Sequence, residues 1–173
     1  MGFWRRRQES ERQSALTQDA AHALGIAKDE QILAWAPLSA GAGYVGLTRT
    51  HLHVAVSGSD VLHIEWHLVE YATWEDPVLI AVVQRDDQQL RVAMELAAAG
   101  FVPQVLRERV SATVAHDSYQ YFADGRRVRL VARRSVITGD TAWSMRFDEA
   151  EPDEQLRVAA EQRLREVRAD LGL

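Results

Sequence analysis

Apolar and polar residues alternate one by one along two neighbouring stretches of the chain. In residues 51–56, Leu52, Val54 and Val56 are separated by histidine or alanine, and residues 61–67 show the same alternation. A period of two residues is typical of a strand that buries one face. The sequence Ser-Gly-Ser-Asp between the stretches favours a turn. The pattern therefore predicts a β-hairpin.

The predicted hairpin gathers most of the histidines of the chain on one face. Both apolar sets must share a face, because a slip of one residue would expose one set to water. The predicted pairing sets Val54 opposite Ile64 and Val56 opposite Leu62. The other face then carries five residues that can ligate a metal: His51, His53, His63, Glu65 and His67.

Short alternating runs continue along most of the chain and favour an antiparallel, β-rich body. At 173 residues, the length is typical of one domain. We expect a helical segment over residues 1–28 and a single β-rich domain over residues 29–173. Strands are predicted near 31–37, 43–49, 51–56, 61–74, 78–84 and 88–96, and again on both sides of Asp124-Gly125 and up to Phe147.

Three helices are predicted around these strands. The first covers residues 8–25, with Thr17 as its N-cap, and a short middle helix runs from Pro103 to about Arg109. An amphipathic C-terminal helix begins with Pro152 in its first turn and stops at Gly172. The predicted fold class is α+β, with an antiparallel β roll or barrel and these three helices.

Two stretches resemble the bacterial pleckstrin-homology-like (PH-like) and GRAM-like families. Residues 43–54, GYVGLTRTHLHV, are similar to the paired second and third strands, and residues 64–74, IEWHLVEYATW, are similar to the following strand. The layout is also similar to that of a group of uncharacterised actinobacterial proteins. The resemblance implies seven strands closed by a helix, and a domain that binds phosphoinositides, peptides or other copies of itself and is rarely an enzyme.

The histidine face has three interpretations. Neutral imidazoles and a carboxylate on adjacent strands suit zinc, nickel or copper, which makes a metal-binding protein or metal-dependent enzyme the alternative function. The face can equally be the solvated side of a sheet, where polar residues belong. It can also meet a partner in a pH-dependent way, because imidazoles become charged near pH 6.5.

Arginines form a second candidate site, on the strand that follows Asp124-Gly125. A two-residue turn there sets Tyr121 against Val128 and Tyr119 against Leu130, with the tyrosines on the core face. The opposite face carries four arginines that suit a phosphate, a lipid head group or an acidic peptide: Arg127, Arg129, Arg133 and Arg146.

Composition limits the choice of function. The chain has no cysteine, which excludes disulfides and thiolate chemistry, and no apolar run long enough to span a bilayer, so we expect a cytoplasmic protein. The net charge of −5 and the core-facing tyrosines make nucleic acid an unfavourable ligand. The leading prediction is a non-catalytic binding or scaffold module without a cofactor. Its partner would be a protein, a second copy of the chain or an anionic lipid.

Overall fold

The computed structural model of the chain describes residues 18–85 and 88–172. Their strands form three antiparallel sheets, and the longest helix lies at the C-terminal end. The backbone divides into two compact units, with the boundary between Ala112 and Thr113. The prediction of an α+β fold built on antiparallel strands, with a C-terminal helix, is confirmed.

Seven strands, the helical residues 18–23 and one longer helix build the described part of the first unit. The first four strands form one sheet in chain order, and the next three form a second. A 3₁₀ turn, Trp66–Leu68, ends the first sheet and begins the second, so the predicted long strand 61–74 is wrong: it is two strands in different sheets. The elements are β1 (Ala34–Pro37), β2 (Gly43–Leu47), β3 (His51–Val56), β4 (Leu62–Glu65), β5 (Val69–Glu75), β6 (Val78–Arg85), β7 (Gln88–Glu95) and α1 (Val102–Ala112).

The apolar faces of both sheets meet in one core. Leu52 and Val54 from β3, Leu79 from β6 and Leu106 from α1 are all members of this cluster and are nearly inaccessible to water. Helix α1 extends three residues beyond the predicted end at Arg109. A single bridge between Leu38 and Leu96 joins edges of the two sheets. Strand pairing across the described residues closes no sheet into a barrel.

The second unit is a three-stranded sheet with a helix on one face. Its elements are β8 (Val114–Tyr121), β9 (Arg127–Arg134), β10 (Thr141–Phe147) and α2 (Glu154–Leu171), with β9 in the middle of the sheet. Val128 and Leu130 of β9 pack against Leu156 and Ala160 of the helix. The opposite face of the sheet carries the arginines.

The ends of helix α2 follow local capping rules. Asp153 is the N-cap, and its side chain accepts a hydrogen bond of 2.7 Å from the backbone of Leu156. Pro152 therefore precedes the cap, and its predicted place in the first turn is wrong. Gly172 takes the left-handed conformation at the C-terminal end, as predicted. None of the helices among the described residues is long and apolar enough to cross a membrane.

The predicted register of the histidine hairpin is wrong by two residues. Leu52, not Val54, pairs with Ile64, and Val54 pairs with Leu62. The loop between the paired residues Val54 and Leu62 is two residues longer than the predicted one, and Gly58 within it has a φ of 80°. A shift of two residues preserves the side of the sheet on which each side chain lies.

The predicted register of the second hairpin is wrong by one residue. Tyr121 pairs with Arg127 and Tyr119 with Arg129. The connecting loop has three residues, because the Phe122 N–H donates to the Arg126 carbonyl at 2.9 Å and Gly125 has a φ of 84°. The odd shift moves both tyrosines from the predicted core face to the arginine face.

Candidate functional site

A helical segment covers part of the histidine face. Residues 18–23 are helical, which agrees with the end of the predicted first helix, whereas its N-cap Thr17 lies outside the described residues. The segment packs Leu24 and Ile26 against Ala55 of β3. Gly46 makes the contact possible, since a Cβ there would lie 2.5 Å from Cδ1 of Leu24. The face is therefore not simply the solvated side of a sheet.

His53 is the buried centre of this face. Its side chain lies on β3 and is only 3% exposed. Burial lowers the pKa of its imidazole to about 4, an effect that the nearby Glu30 carboxylate opposes. The ring is therefore neutral near pH 7 and has one nitrogen that can act as an acceptor or a metal ligand.

The hydroxyl of Thr50 connects His51 with Glu30. Thr50 Oγ1 donates to the Glu30 carboxylate at 2.7 Å and lies 2.9 Å from Nδ1 of His51. A hydroxyl has one proton, and the ionised carboxylate can only accept. The hydroxyl must therefore accept from His51, which puts a proton on Nδ1 and leaves Nε2 as the only nitrogen of the ring that can act as a ligand atom.

His63 is a hydrogen-bond partner of His53, as Thr50 is of His51. The Nδ1 atoms of the two rings are 2.8 Å apart, so one ring donates to the other. Nε2 of His53 is 3.3 Å from Thr48 Oγ1, a hydroxyl that already accepts from the backbone of Thr50 and His51. The favoured arrangement therefore has His53 Nδ1–H donating to His63, with His53 Nε2 left as an acceptor.

Among the described residues, one set of three places all its ligand atoms within 4.8 Å of one another: Glu30, His51 and His53. Two of these are predicted candidates, and Glu30 is new. Burial raises the pKa of the Glu30 carboxyl, but hydrogen bonds from Thr48 and Thr50 and the nearby histidines lower it more, so the carboxyl is ionised at neutral pH.

The other predicted members of the histidine face are arranged differently. His63 contacts His53, and Glu65 pairs with His51 in the ladder. His67 lies in the 3₁₀ turn after β4, where its Nδ1 is 3.2 Å from a carboxylate oxygen of Glu65. His63, Glu65 and His67 are therefore not members of the set formed by Glu30, His51 and His53.

A tyrosine–arginine face forms the second site, defined by Tyr119, Tyr121, Arg127, Arg129 and Arg146. Tyr119 and Tyr121 are 43% and 71% exposed. The guanidinium carbons of Arg127 and Arg129 lie 5.0 and 5.7 Å from the centre of the Tyr119 ring, within the range of a cation–π contact. Arg146 is the ladder partner of Arg129.

Two aspartates hold arginines of this face in place. Arg129 bonds Asp117 through two nitrogens, and Arg127 bonds Asp148. The hydrogen bond from Arg129 is the largest cause that lowers the pKa of Asp117. A recess of about 450 Å³ opens beside the pairs, lined by Tyr119, Arg129, Arg146, Phe147 and Asp148.

Arg133 lies apart from the other three predicted arginines. The structure pairs it with Ala142 in the ladder with β10, whereas Arg146 pairs with Arg129. Its guanidinium donates to Thr113 Oγ1 at 3.1 Å, near the start of the second unit. Arg127, Arg129 and Arg146 therefore lie close together, whereas Arg133 makes a different contact.

Local sequence could have revealed the tyrosines but not Glu30. Hairpin loops of three residues are common beside those of two. With a three-residue loop at Asp124-Gly125, the alternation of side chains along the strand places Tyr119 on the arginine face. Glu30 lies in a turn 21 residues before His51, with no periodic pattern around it. Comparisons of the chain with protein families, with curated proteins and with solved structures found no match.

Proposed function

We propose that the protein is a non-catalytic binding module, and that an acidic segment of a protein partner contacts its tyrosine–arginine face. The observation that carries this proposal is the pair of exposed tyrosines beside Arg127 and Arg129. The other face of the same sheet is occupied by α2, so the tyrosines are not part of the core of that unit. Tyrosine and arginine are enriched in the residues that dominate binding energy at protein interfaces.

The ion pairs favour this use of the face. Arg127 and Arg129 are held by aspartates and by the Tyr119 ring, so their side chains lose less freedom when a ligand binds. Three guanidiniums and the carboxylates of Asp117 and Asp148 lie on this face, whereas the whole chain carries −5. The recess brings a carboxylate beside the guanidiniums of Arg129 and Arg146, whose planar geometry matches it.

Single-stranded nucleic acid is the second ligand class to consider. Bases stack on exposed aromatic rings beside arginines, and the sequence-based argument against this class fails because the tyrosines do not face the core. The carboxylates of Asp117 and Asp148 on the same face oppose a phosphate backbone, however. An acidic peptide that contacts the face locally is favoured over a polyanion that has to track across it.

A displayed library of random peptides tests the proposal with purified full-length protein. We expect selected peptides to be rich in Asp and Glu. They should bind the wild type and a Val158→Ser control, whose substitution lies on the exposed side of α2, but not a Tyr119→Ser, Arg129→Ser variant. Selection without acidic enrichment, or binding that survives in the double variant, would contradict the proposal.

Two further probes separate the ligand classes. A fluorescent oligothymidylate and vesicles that contain phosphatidylserine are titrated with the same variants over a range of salt concentrations. If one of them binds through the face and no peptide does, the acidic-peptide proposal is wrong and the face belongs to a nucleic-acid or lipid ligand. Self-association is tested by the molar mass of the wild type in solution.

We also propose that the first unit is PH-like. A four-stranded sheet, a three-stranded sheet and then α1 agree with the seven strands and closing helix that the resemblance implies. The strands β8 to β10 and α2 then form an addition to that domain. A cytoplasmic location is proposed as well, since a chain without cysteine suits a reducing compartment.

A further inference from the structure

We propose that Glu30, His51 and His53 bind a divalent transition-metal ion, with zinc as the best fit, and that Thr50 and His63 orient the two imidazoles. This site lies in the first unit and is independent of the tyrosine–arginine face. It differs from the metal site that the sequence suggests, because a loop carboxylate completes it and neither Glu65 nor His67 takes part.

The hydrogen bonds around the site are those that a metal centre needs. A histidine ligand usually donates its other N–H to a fixed acceptor, which sets the tautomer and the ring orientation. Thr50 supplies that acceptor for His51 at 2.9 Å, and His63 supplies it for His53 at 2.8 Å. The Nε2 lone pair of His51 therefore remains for the ion, and that of His53 becomes available when the Thr48 hydroxyl, 3.3 Å away, donates to the His51 carbonyl instead.

The chemistry of the three ligands also suits the ion. Zinc is bound in proteins by imidazole nitrogens and carboxylate oxygens. Two histidines and one carboxylate form a set that leaves a fourth position for water or another ligand.

The spacing requires only a small adjustment. Ligand atoms around a tetrahedral zinc ion lie about 3.4 Å apart, given zinc–ligand distances near 2.1 Å. The three ligand atoms here lie within 4.8 Å of one another. Glu30 is in a loop and is held to the site by Thr50, so it can approach the histidines without a change in the sheet.

Calorimetric titration of metal-stripped, untagged full-length protein with zinc tests the site. We expect one zinc ion per chain with micromolar or tighter affinity. Loss of an orienting partner typically costs about 10- to 100-fold in metal affinity, so loss of a ligand in Glu30→Gln or His51→Ala should cost at least about 100-fold. Absence of binding by the wild type, or binding that both variants retain, would overturn the proposal.

Matched controls distinguish this site from other histidines. His67→Ala and His116→Ala should bind zinc like the wild type, and weaker binding in His67→Ala with normal binding in Glu30→Gln would overturn the role of Glu30. Circular dichroism of each apo variant confirms that it is folded. The outcome does not depend on the peptide experiment, because the two sites share no residue.

His63 is a positioning residue, and its test uses the metal as a reporter. His63→Ala should weaken zinc binding by about 10- to 100-fold. It should also alter the visible spectrum of bound cobalt, which depends on the arrangement of the ligands. His63→Asn restores an acceptor for the N–H of His53 and should recover most of the affinity. Equal affinity and equal cobalt spectra in the wild type and His63→Ala would overturn this role.

Discussion

The imidazole of His53 shows how strongly position alters the chemistry of one side chain. His51 and His63 are its neighbours and Glu30 faces it from a loop, yet the largest influence on its pKa is burial. A buried ring that is neutral and hydrogen-bonded on both nitrogens is stable where a charged ring is not.

This burial predicts a pH dependence of stability. In the unfolded chain His53 gains a proton as the pH falls through 6.5, but in the folded protein it does so only near pH 4. The contribution of its neutral form is thus complete above pH 6.5 and is lost progressively down to pH 4. A shift of this size corresponds to roughly 3 kcal/mol in the free energy of unfolding.

Urea unfolding of metal-stripped protein at a series of pH values measures this contribution. Carboxylates also titrate over the range, so the quantity of interest is the difference in slope between the wild type and His53→Gln. We expect the variant to lose less stability on acidification than the wild type. His116→Gln is the control and should follow the wild type. Parallel curves for wild type and His53→Gln would show that His53 is not buried as a neutral ring.

The loops of the two hairpins decide, at the scale of elements, what each sheet face presents. In the first hairpin, the loop between the paired Val54 and Leu62 is two residues longer than predicted, so the register moves by an even number of residues and the predicted faces survive. In the second hairpin, a three-residue loop around Gly125 moves the register by one residue. The tyrosines of β8 therefore lie on the arginine face and not on the core face. The arginines therefore lie beside tyrosines, which changes the ligands that this face can bind.

Contact between the helical segment and β2 leads to a prediction about packing. In Gly46→Ala the new methyl group would overlap Cδ1 of Leu24, which is fully buried. Overpacking of this kind costs about 1–3 kcal/mol in the free energy of unfolding. In a Leu24→Ala background the same substitution should cost much less, because Cδ1 of Ile26 at 3.3 Å is then the nearest side-chain atom.

A double-mutant cycle by urea unfolding gives the coupling between the two positions. Leu24→Ala will itself destabilise the protein by about 2–5 kcal/mol, so only the interaction energy is informative. Additive effects of Gly46→Ala and Leu24→Ala would mean that the segment does not rest on β2. The histidine face would then be more open than the structure indicates.

For the whole molecule, the proposed metal site predicts that zinc stabilises the chain. A ligand that binds only the folded state adds about 4 kcal/mol when its free concentration is 1,000 times the dissociation constant. We expect the urea midpoint of the wild type to rise with zinc and that of Glu30→Gln to stay constant. An equal rise in both proteins would place the bound zinc elsewhere.

Sequence alone determined the features that depend on neighbouring residues. Alternation gave the strands and the side of each strand that is apolar, while Gly172 marked the end of α2. It also showed that His51, His53 and His63 share one face of a sheet, because the period of two is a property of the backbone itself. These predictions needed no knowledge of which distant segments meet.

Tertiary structure decided the rest, because it depends on contacts between residues that are far apart in sequence. Register depended on the length of the loop in each hairpin, which alternation cannot detect. Leu24 packs over Gly46, the ladder partner of the buried His53, and Glu30 approaches His51 and His53 from a turn that no local pattern marks. The composition of both sites therefore emerged only when the chain was folded.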